Sequence, residues 1–310
     1  MKVVVANPTF AGDAGLRAAL LARFPGAVFN DTGRILDDDA LRDLLAGATA
    51  AIIGLERVDA ALLDRCPDLR VIAKFGVGLD AIDLAGCAAR GIAVRSTPGV
   101  NALAVAELTL GFMIGLARRI AIASHQLRQG RWIRDGGVQL FGRTVGIIGL
   151  GNVGRATARV VQAVGCPVIA HDLVDLGAYC ADHAIRFTSL DELLRDADVV
   201  TVHVPLTPRT RPLIGRAELA AMKPGAFLIN TARGGVVDED ALCDALAAGA
   251  LGGAASDVFA DEPTRNTRLL GFDNFLATPH VGGNSREAIR AVGLAAIDHL
   301  TAALDRQPIS

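Results

Sequence analysis

The sequence predicts an α/β protein with two doubly wound parallel sheets. Short runs of β-branched residues alternate with helical patterns along the whole chain, and no hairpin signal separates them, so neighbouring strands are expected to be parallel. Hydrophobic residues make up 51% of the 310 residues and aromatic residues only 4%. Such a composition suits buried strands of small aliphatic residues covered by helices. The length accommodates two domains.

The first alternation runs from the N-terminus to residue 98. Its predicted strands are "KVVVANP", "AAIIG", "RVIAKFG" and "IAVRSTP", and its predicted helices are "DAGLRAALLARF", "DAALLDRC" and "DLAGCAARG". Pro98 and Gly99 interrupt this pattern. A long helical pattern then extends from about Asn101 to Gln129, where "GRW" ends it.

A second alternation begins at "TVGIIGLGNVG". Its six predicted strands are "TVGIIGL", "PVIAHD", "VVTVHVP", "AFLIN", "GGAASDV" and "FLATPH". Helices such as "DELLRDA" and "EDALCDALAAG" lie between them, and no strand follows the last helical stretch, "SREAIRAVGLAAIDHLTAAL". We therefore predict that residues 99–281 form a domain inserted into a discontinuous domain made of residues 1–98 and 282–310.

Charge and cysteine content exclude several classes of protein. A net charge of −2, with both signs spread along the chain, provides no basic field for nucleic acid or an anionic membrane. The five cysteines form no CxxC pair and no ligand-like cluster, which predicts buried thiols in a reducing compartment and no metal site. The N-terminal apolar run is too short for a signal peptide, and Glu107 breaks the longest apolar stretch. A soluble, cytoplasmic protein is expected.

A glycine-rich loop, "GLGNVG", follows the first strand of the second alternation and opens a helix. That context is the one the dinucleotide fingerprint requires. Gly149 permits the tight turn, Gly151 lets the backbone approach a pyrophosphate, and Gly154 allows close packing of helix on strand. The inserted domain is therefore predicted to be a Rossmann dinucleotide-binding domain.

Asp172 ends the next strand, eighteen residues after Gly154. A carboxylate there accepts hydrogen bonds from a ribose 2′-hydroxyl and repels a 2′-phosphate. The residues that follow are Leu173 and Val174 rather than an arginine. The sequence therefore favours NAD over NADP.

Three groups suited to chemistry follow later strands of the same alternation. Arg233 stands in "NTARGG", Asp257 and Glu262 in "SDVFADEP", and His280 in "ATPHVGG". Ligands of open α/β sheets bind at the carboxyl ends of the strands. A guanidinium matches a carboxylate bidentately, and an imidazole tuned by a carboxylate exchanges protons near neutral pH. With a hydride donor, this set is what reduction of a 2-oxo acid needs.

From end to end the chain resembles the D-isomer-specific 2-hydroxyacid dehydrogenase family, in its phosphoglycerate dehydrogenase-like branch. Seven segments carry the resemblance in order: "KFGVGLDAID", "TPGVNALAVAELTLGFMIGLAR", "GRTVGIIGLGNVGR", "HVPLTPRTRPLIG", "MKPGAFLINTARGGVVDEDAL", "DVFADEP" and "TPHVGG". The resemblance implies a flavodoxin-like substrate domain around the Rossmann domain. It also implies an NAD-dependent enzyme acting on CH–OH donors, and a homodimer formed through the helix that starts at Asn101.

The resemblance also implies residue roles. Arg233 binds the substrate, Glu262 pairs with His280, and His280 is the acid–base. Substrate contacts are implied for Lys74, for the backbone of Val77 and Gly78, and for Arg233. Cofactor contacts are implied for Gly149, Gly151, Asn152, Val153, Gly154, Asp172, Val204, Pro205, Thr210, Thr231, Ala232 and Asp257.

The chain departs from its phosphoglycerate-oxidising relatives near the distal end of the substrate. Those relatives commonly show an arginine–serine pair after the strand that corresponds to "AAIIG", where this chain reads "GLERVD". Arg57 and Lys74 are candidate replacements. The chain ends after one further helix, so a regulatory domain with serine feedback is not expected. Both 3-phosphoglycerate and a hydroxypyruvate- or glyoxylate-type substrate stay open.

Two other functions are compatible with the same scaffold. One is a phosphite or formate dehydrogenase-like enzyme, although formate enzymes of this kind carry glutamine at the position of Glu262. The other is a non-enzymatic module that senses NAD(H), as in the C-terminal-binding corepressors, which share the fold and these residues.

Overall fold

The chain forms two compact α/β units, each built on one parallel sheet. The structure is a computed structural model and describes residues 1–305. Unit 1 consists of Met1–Asn101 together with the chain from Gly283 onward, and unit 2 is Ala102–Gly282. Two parallel-sheet units confirm the predicted fold class. The described residues contain no helix long and apolar enough to cross a membrane.

Unit 1 contains a five-stranded sheet of order β2-β1-β3-β4-β5, with every pairing parallel. This is the flavodoxin-like order, in which the topological switch point lies between β1 and β3. The strands are β1 (Val3–Val5), β2 (Val28–Phe29), β3 (Ala50–Ile53), β4 (Val71–Lys74) and β5 (Ala93–Arg95). The sequence predicts four of them. The prediction missed β2, because two residues at a sheet edge leave almost no periodic signal.

The helices of unit 1 come from both of its segments. They are α1 (Pro8–Gly12), α2 (Ala14–Arg23), α3 (Asp38–Leu45), α4 (Ala60–Leu63), α5 (Leu84–Ala89) and, after unit 2, α14 (Arg286–Leu304). Each begins after an Asp, Asn or Ser whose side chain accepts a backbone N–H of the first turn. One face of the sheet packs against α2 and α14 through Leu20, Ile52, Val71, Ile297 and Leu300.

Unit 2 contains a seven-stranded sheet of order β12-β11-β10-β9-β6-β7-β8, again parallel throughout. The strands are β6 (Val145–Ile148), β7 (Val168–His171), β8 (Ile185–Phe187), β9 (Val199–Val202), β10 (Phe227–Asn230), β11 (Gly253–Ser256) and β12 (Phe275–Ala277). This is the dinucleotide-binding order extended by one strand, with its switch point between β6 and β9. The prediction of six strands missed β8, a three-residue edge strand.

Helices cover both faces of the larger sheet. They are α6 (Ala102–Ala117), α7 (Ile120–Arg128), α8 (Asn152–Ala163), α9 (Gly177–Asp182), α10 (Leu190–Asp196), α11 (Arg216–Ala221), α12 (Glu239–Ala247) and α13 (Thr267–Leu270). The single long helix predicted from Asn101 to Gln129 is therefore wrong. Arg119 adopts a left-handed conformation with φ of 53°, which a right-handed helix does not continue through. The pattern consequently divides into a largely buried α6 and an α7 that buries no side chain.

Candidate active site at the carboxyl edge of the larger sheet

The glycine loop between β6 and α8 is shaped by contacts that a side chain would block. Gly149 has φ of 91°, and a Cβ there would lie 2.7 Å from the carbonyl oxygen of His203. A Cβ on Gly154 would lie 2.0 Å from the carbonyl oxygen of Gly149. At Gly151, by contrast, a Cβ would meet nothing within 4 Å. The first and third glycines therefore allow tight packing, whereas the second faces open space.

Helix α8 begins at this open position without a side-chain cap. Its N-cap is Gly151, and no side chain accepts the amides of its first turn. Those amides, with the positive end of the helix dipole, attract an anionic group. Asn152 and Val153, in the same turn, carry two of the amides. The loop therefore fits the pyrophosphate of a dinucleotide.

Asp172 follows β7 and is tied to the same loop. Its Oδ2 accepts the amide of Leu150 at 2.7 Å, and its Oδ1 accepts the amide of Val174 at 3.0 Å. A carboxylate oxygen accepts more than one hydrogen bond, so each oxygen retains capacity for a ribose hydroxyl. The geometry therefore suits the ribose-binding role predicted for Asp172.

The loops after β9 and β10 contain five more of the predicted cofactor residues: Val204, Pro205, Thr210, Thr231 and Ala232. The hydroxyl of Thr210 donates to the carbonyl oxygen of Pro205 at 2.7 Å, so it stabilises its own loop beside Val204. The hydroxyls of Thr231 and Thr109 lie 2.9 Å apart. Both threonines are buried, as is Ala232. These contacts fix the loops that border the glycine loop at the switch point of the sheet.

His280 and Glu262 form a hydrogen-bonded pair. The imidazole Nδ1 lies 2.7 Å from Oε2 of Glu262, and each side chain is 33% exposed. His280 adopts a left-handed backbone conformation with φ of 53°. Its amide donates to the carbonyl oxygens of Asp257 and Thr278. Such a conformation is uncommon outside glycine and is stabilised here by the surrounding hydrogen bonds.

Asp257 holds the loop that carries His280. Its side chain is 2% exposed, and its carboxylate accepts hydrogen bonds from the hydroxyl of Thr278 and from the amides of Val281 and Gly282. The resemblance implies a cofactor contact for Asp257; the structure adds this positioning of the loop. No local pattern in the sequence indicates Thr278, because Asp257, which accepts its hydrogen bond, lies 21 residues away.

The electrostatic surroundings of Glu262 favour its ionised form. Burial alone would raise the pKa of this carboxyl, but the hydrogen bond and charge of His280, the amide of Phe259 and the charge of Arg233 together lower it below the usual value. Glu262 is therefore an anion at neutral pH. An anion hydrogen-bonded to Nδ1 fixes the orientation of the imidazole ring.

Arg233 reaches this site because two loops pack backbone against backbone. A Cβ on Gly234 would lie 1.7 Å from the carbonyl oxygen of Phe259, so the loop after β10 lies directly on the loop after β11. The Nδ2 of Asn230 donates to the carbonyl oxygen of Arg233 at 2.9 Å and fixes the turn. The structure thus brings together three predicted groups, Arg233, Glu262 and His280, from three neighbouring strands.

The remaining predicted substrate residues lie in unit 1. Lys74 ends β4, is buried, and donates from Nζ to the carbonyl oxygen of Gly54. Val77 and Gly78 follow in a partly exposed loop. The five cysteines are buried and unpaired, and burial raises the pKa of each thiol. No group of three or more potential metal ligands occurs within residues 1–305.

Comparisons with known proteins agree with this geometry. A family model described as "D-isomer specific 2-hydroxyacid dehydrogenase, NAD binding domain" matches residues 110–282. The chain is 37% identical over 275 residues to a hydroxypyruvate reductase of Thermotoga maritima, a match that covers 87% of this chain and 89% of that protein. It is 39% identical over 240 residues to a D-3-phosphoglycerate dehydrogenase of Methanocaldococcus jannaschii, covering 76% of this chain.

The second relative is much longer, since this chain spans only 46% of it. Among solved structures, a D-lactate dehydrogenase from Aquifex aeolicus, complexed with NAD and lactic acid, superposes with a TM-score of 0.86. That protein is 28% identical, and the match covers 98% of this chain and 96% of that one. The likeness therefore extends over both sheets.

We predict that Gly154→Ala weakens NADH binding. The new methyl group would lie 2.0 Å from a backbone oxygen, which must move and deform the loop that receives the pyrophosphate. The affinity for NADH, measured by calorimetry, should fall at least about tenfold, or about 1.4 kcal/mol. Gly12→Ala is the matched control, because a Cβ there meets nothing within 4 Å. Equal affinities for the two variants would contradict the prediction.

Proposed function

Because the chain belongs to the D-isomer specific 2-hydroxyacid dehydrogenase family and is an NAD-dependent enzyme of that family, we propose that it interconverts a small D-2-hydroxy acid and its 2-oxo acid with His280 as the acid–base. The observation that carries this proposal is the hydrogen bond between His280 and an ionised Glu262, beside Arg233 and at the carboxyl edge that holds the glycine loop. A proton donor, its tuning anion and an anchoring cation are then present at one edge of the sheet.

The two nitrogens of His280 have different tasks. Nδ1 is held by Glu262, so Nε2 is the nitrogen that exchanges a proton with the substrate. NAD(H), when bound, supplies the hydride donor or acceptor. In the direction of reduction, charge develops on the carbonyl oxygen, and His280 donates its Nε2 proton to that oxygen. In the direction of oxidation, neutral His280 removes the hydroxyl proton.

Arg233 anchors the substrate in this proposal. A guanidinium keeps its charge at every physiological pH and presents a planar pair of donors to the carboxylate and carbonyl oxygens of a 2-oxo acid. Its turn is fixed by Asn230, and its Nη1 donates to the carbonyl oxygen of Ala232 at 2.7 Å, so the guanidinium is held against its own loop. Lys74 and the backbone of Val77 and Gly78 stay predicted substrate contacts, as the resemblance implies.

The catalytic role of His280 is tested by His280→Gln. Glutamine retains a hydrogen-bonding group but does not titrate, so kcat for reduction should fall about 10²- to 10⁴-fold with each accepted substrate. The assay follows NADH consumption with a panel of glyoxylate, hydroxypyruvate and pyruvate. His183→Gln, at an exposed histidine of the same unit, is the control. Wild-type turnover by His280→Gln would refute the role, and a wild type that binds NADH yet reduces no 2-oxo acid would refute the proposed activity.

Glu262→Gln tests whether the carboxylate acts through the imidazole. The neutral amide replaces the charge-assisted hydrogen bond to Nδ1 with a weaker one, so the ring is held less firmly. The kcat for 2-oxo acid reduction should therefore fall about tenfold or more, while NADH affinity is retained. A kcat equal to that of the wild type would show that Glu262 does not act through His280.

We also propose that the chain forms a homodimer through the arm of residues 101–129 and the segment after it. Helix α7 buries no side chain within its own chain. Large apolar side chains are exposed on and after it, with Trp132 exposed by 79%; the others are Ile120, Leu127, Ile133 and Phe141. Several large exposed apolar side chains in one segment of the chain are typical of a protein contact.

Sedimentation velocity measures this association. The wild type should sediment as a dimer, and the double variant Leu127→Ser with Trp132→Ser should shift toward the monomer, because both changes remove apolar area from the contact. Leu270→Ser is the control, since it replaces an exposed leucine elsewhere in the same unit. A monomeric wild type, or a double variant that stays dimeric, would contradict the proposal.

A further inference from the structure

Unit 1 contains a buried carboxyl group that the mechanism above does not use. Glu56, three residues after the end of β3, is 1% exposed. Its Oε2 accepts the amide of Gly54 at 2.6 Å, whereas its Oε1 has no hydrogen-bond partner among the described residues. Buried acceptors are nearly always paired, because an unpaired one loses its hydration without replacement. The free oxygen therefore points to a missing hydrogen-bond donor.

The carboxyl lies at the position in the sheet where ligands usually bind. β1 and β3 meet at the topological switch point, and their carboxyl ends are in close contact, since a Cβ on Gly54 would lie 2.0 Å from Nδ2 of Asn7. In open parallel sheets the crevice at the switch point is the usual ligand site. Glu56 is therefore buried at the end of the sheet where a ligand is expected to bind.

Lys74 provides the positive charge next to this carboxyl. It ends β4, the strand beside β3, and its Nζ donates to the carbonyl oxygen of Gly54. Burial raises the pKa of Glu56, and the charge of Lys74 opposes that rise, so the two side chains interact.

We propose that Glu56 is a specificity-determining residue that accepts a hydrogen bond from a hydroxyl on the substrate carbon next to the carbonyl, and that it selects a 3-hydroxy-2-oxo acid over the corresponding phosphate ester. The inference rests on the proposed function, in which Lys74 belongs to the substrate site. The free oxygen requires a donor, which a hydroxyl has and a phosphate dianion lacks.

The wild-type enzyme with NADH provides the first test. Values of kcat/KM are measured for glyoxylate, which has no third carbon, for hydroxypyruvate, which has the hydroxyl, and for 3-phosphohydroxypyruvate. We expect hydroxypyruvate to be preferred over the phosphate ester by at least about tenfold, the cost of leaving a buried acceptor without its hydrogen bond. Preference for the phosphate ester would overturn the inference without affecting the proposed function.

Glu56→Gln provides the second test. Glutamine keeps the size of the side chain and can still accept the amide of Gly54, but it turns the second oxygen into a donor. The ratio of kcat/KM for hydroxypyruvate to that for glyoxylate should fall about tenfold or more, and discrimination against the phosphate ester should weaken. Glu287→Gln, at an exposed residue of α14 in the same unit, should leave both ratios as in the wild type.

The outcomes separate the two proposals. Ratios unchanged by Glu56→Gln, with the protein folded by circular dichroism, would mean that Glu56 only stabilises the turn, while turnover of the panel would still support the proposed function. If Glu56→Gln does not fold, Glu56→Asp replaces it as the test. Aspartate keeps the carboxyl group but is shorter by one methylene, which moves the free oxygen away from the substrate hydroxyl. The same fall in the ratio of kcat/KM for hydroxypyruvate to that for glyoxylate is expected. A wild type that reduces no 2-oxo acid would end both proposals together.

Discussion

Parallel pairing of all seven strands in unit 2 is the constraint on which the site depends. It places every carboxyl end at one edge of the sheet, so loops that are far apart in sequence meet there. The glycine loop after β6 and the loops after β10, β11 and β12 occupy this edge. Arg233, Glu262 and His280 come together because their strands are neighbours, and the order of the strands explains a cluster that spans about fifty residues of sequence.

Two aspartate carboxylates stabilise the loops that the sheet itself does not hold. Asp257 accepts two backbone amides and a hydroxyl from the segment around His280, and Asp172 accepts amides from the glycine loop and from its own turn. A charged acceptor forms stronger hydrogen bonds to amides than a neutral one. Irregular segments at the site are therefore kept in fixed conformations, including the left-handed backbone of His280.

Much of this arrangement could be predicted from the sequence, because its signals are local. Short patterns in the sequence mark the glycine loop and Asp172 at the end of β7. The central strands of both sheets are marked by runs of β-branched residues. The edge strands β2 and β8 were missed because two or three residues carry no period. The break at Arg119 was missed because neither glycine nor proline marks it. The hydrogen bond of Thr278 to Asp257 joins residues far apart in sequence, so only the folded chain shows it. The same holds for the oxygen of Glu56 that has no hydrogen-bond partner.

The division of unit 1 into two segments has a consequence for synthesis of the protein. Helix α14 packs on the same face of the smaller sheet as α2, yet the ribosome translates it only after the whole of unit 2. Unit 2 emerges as one uninterrupted stretch and can complete its sheet while unit 1 still lacks this helix. Until α14 is translated, the aliphatic surface around Ile52 and Val71 lacks part of its cover, so the core of unit 1 is completed last.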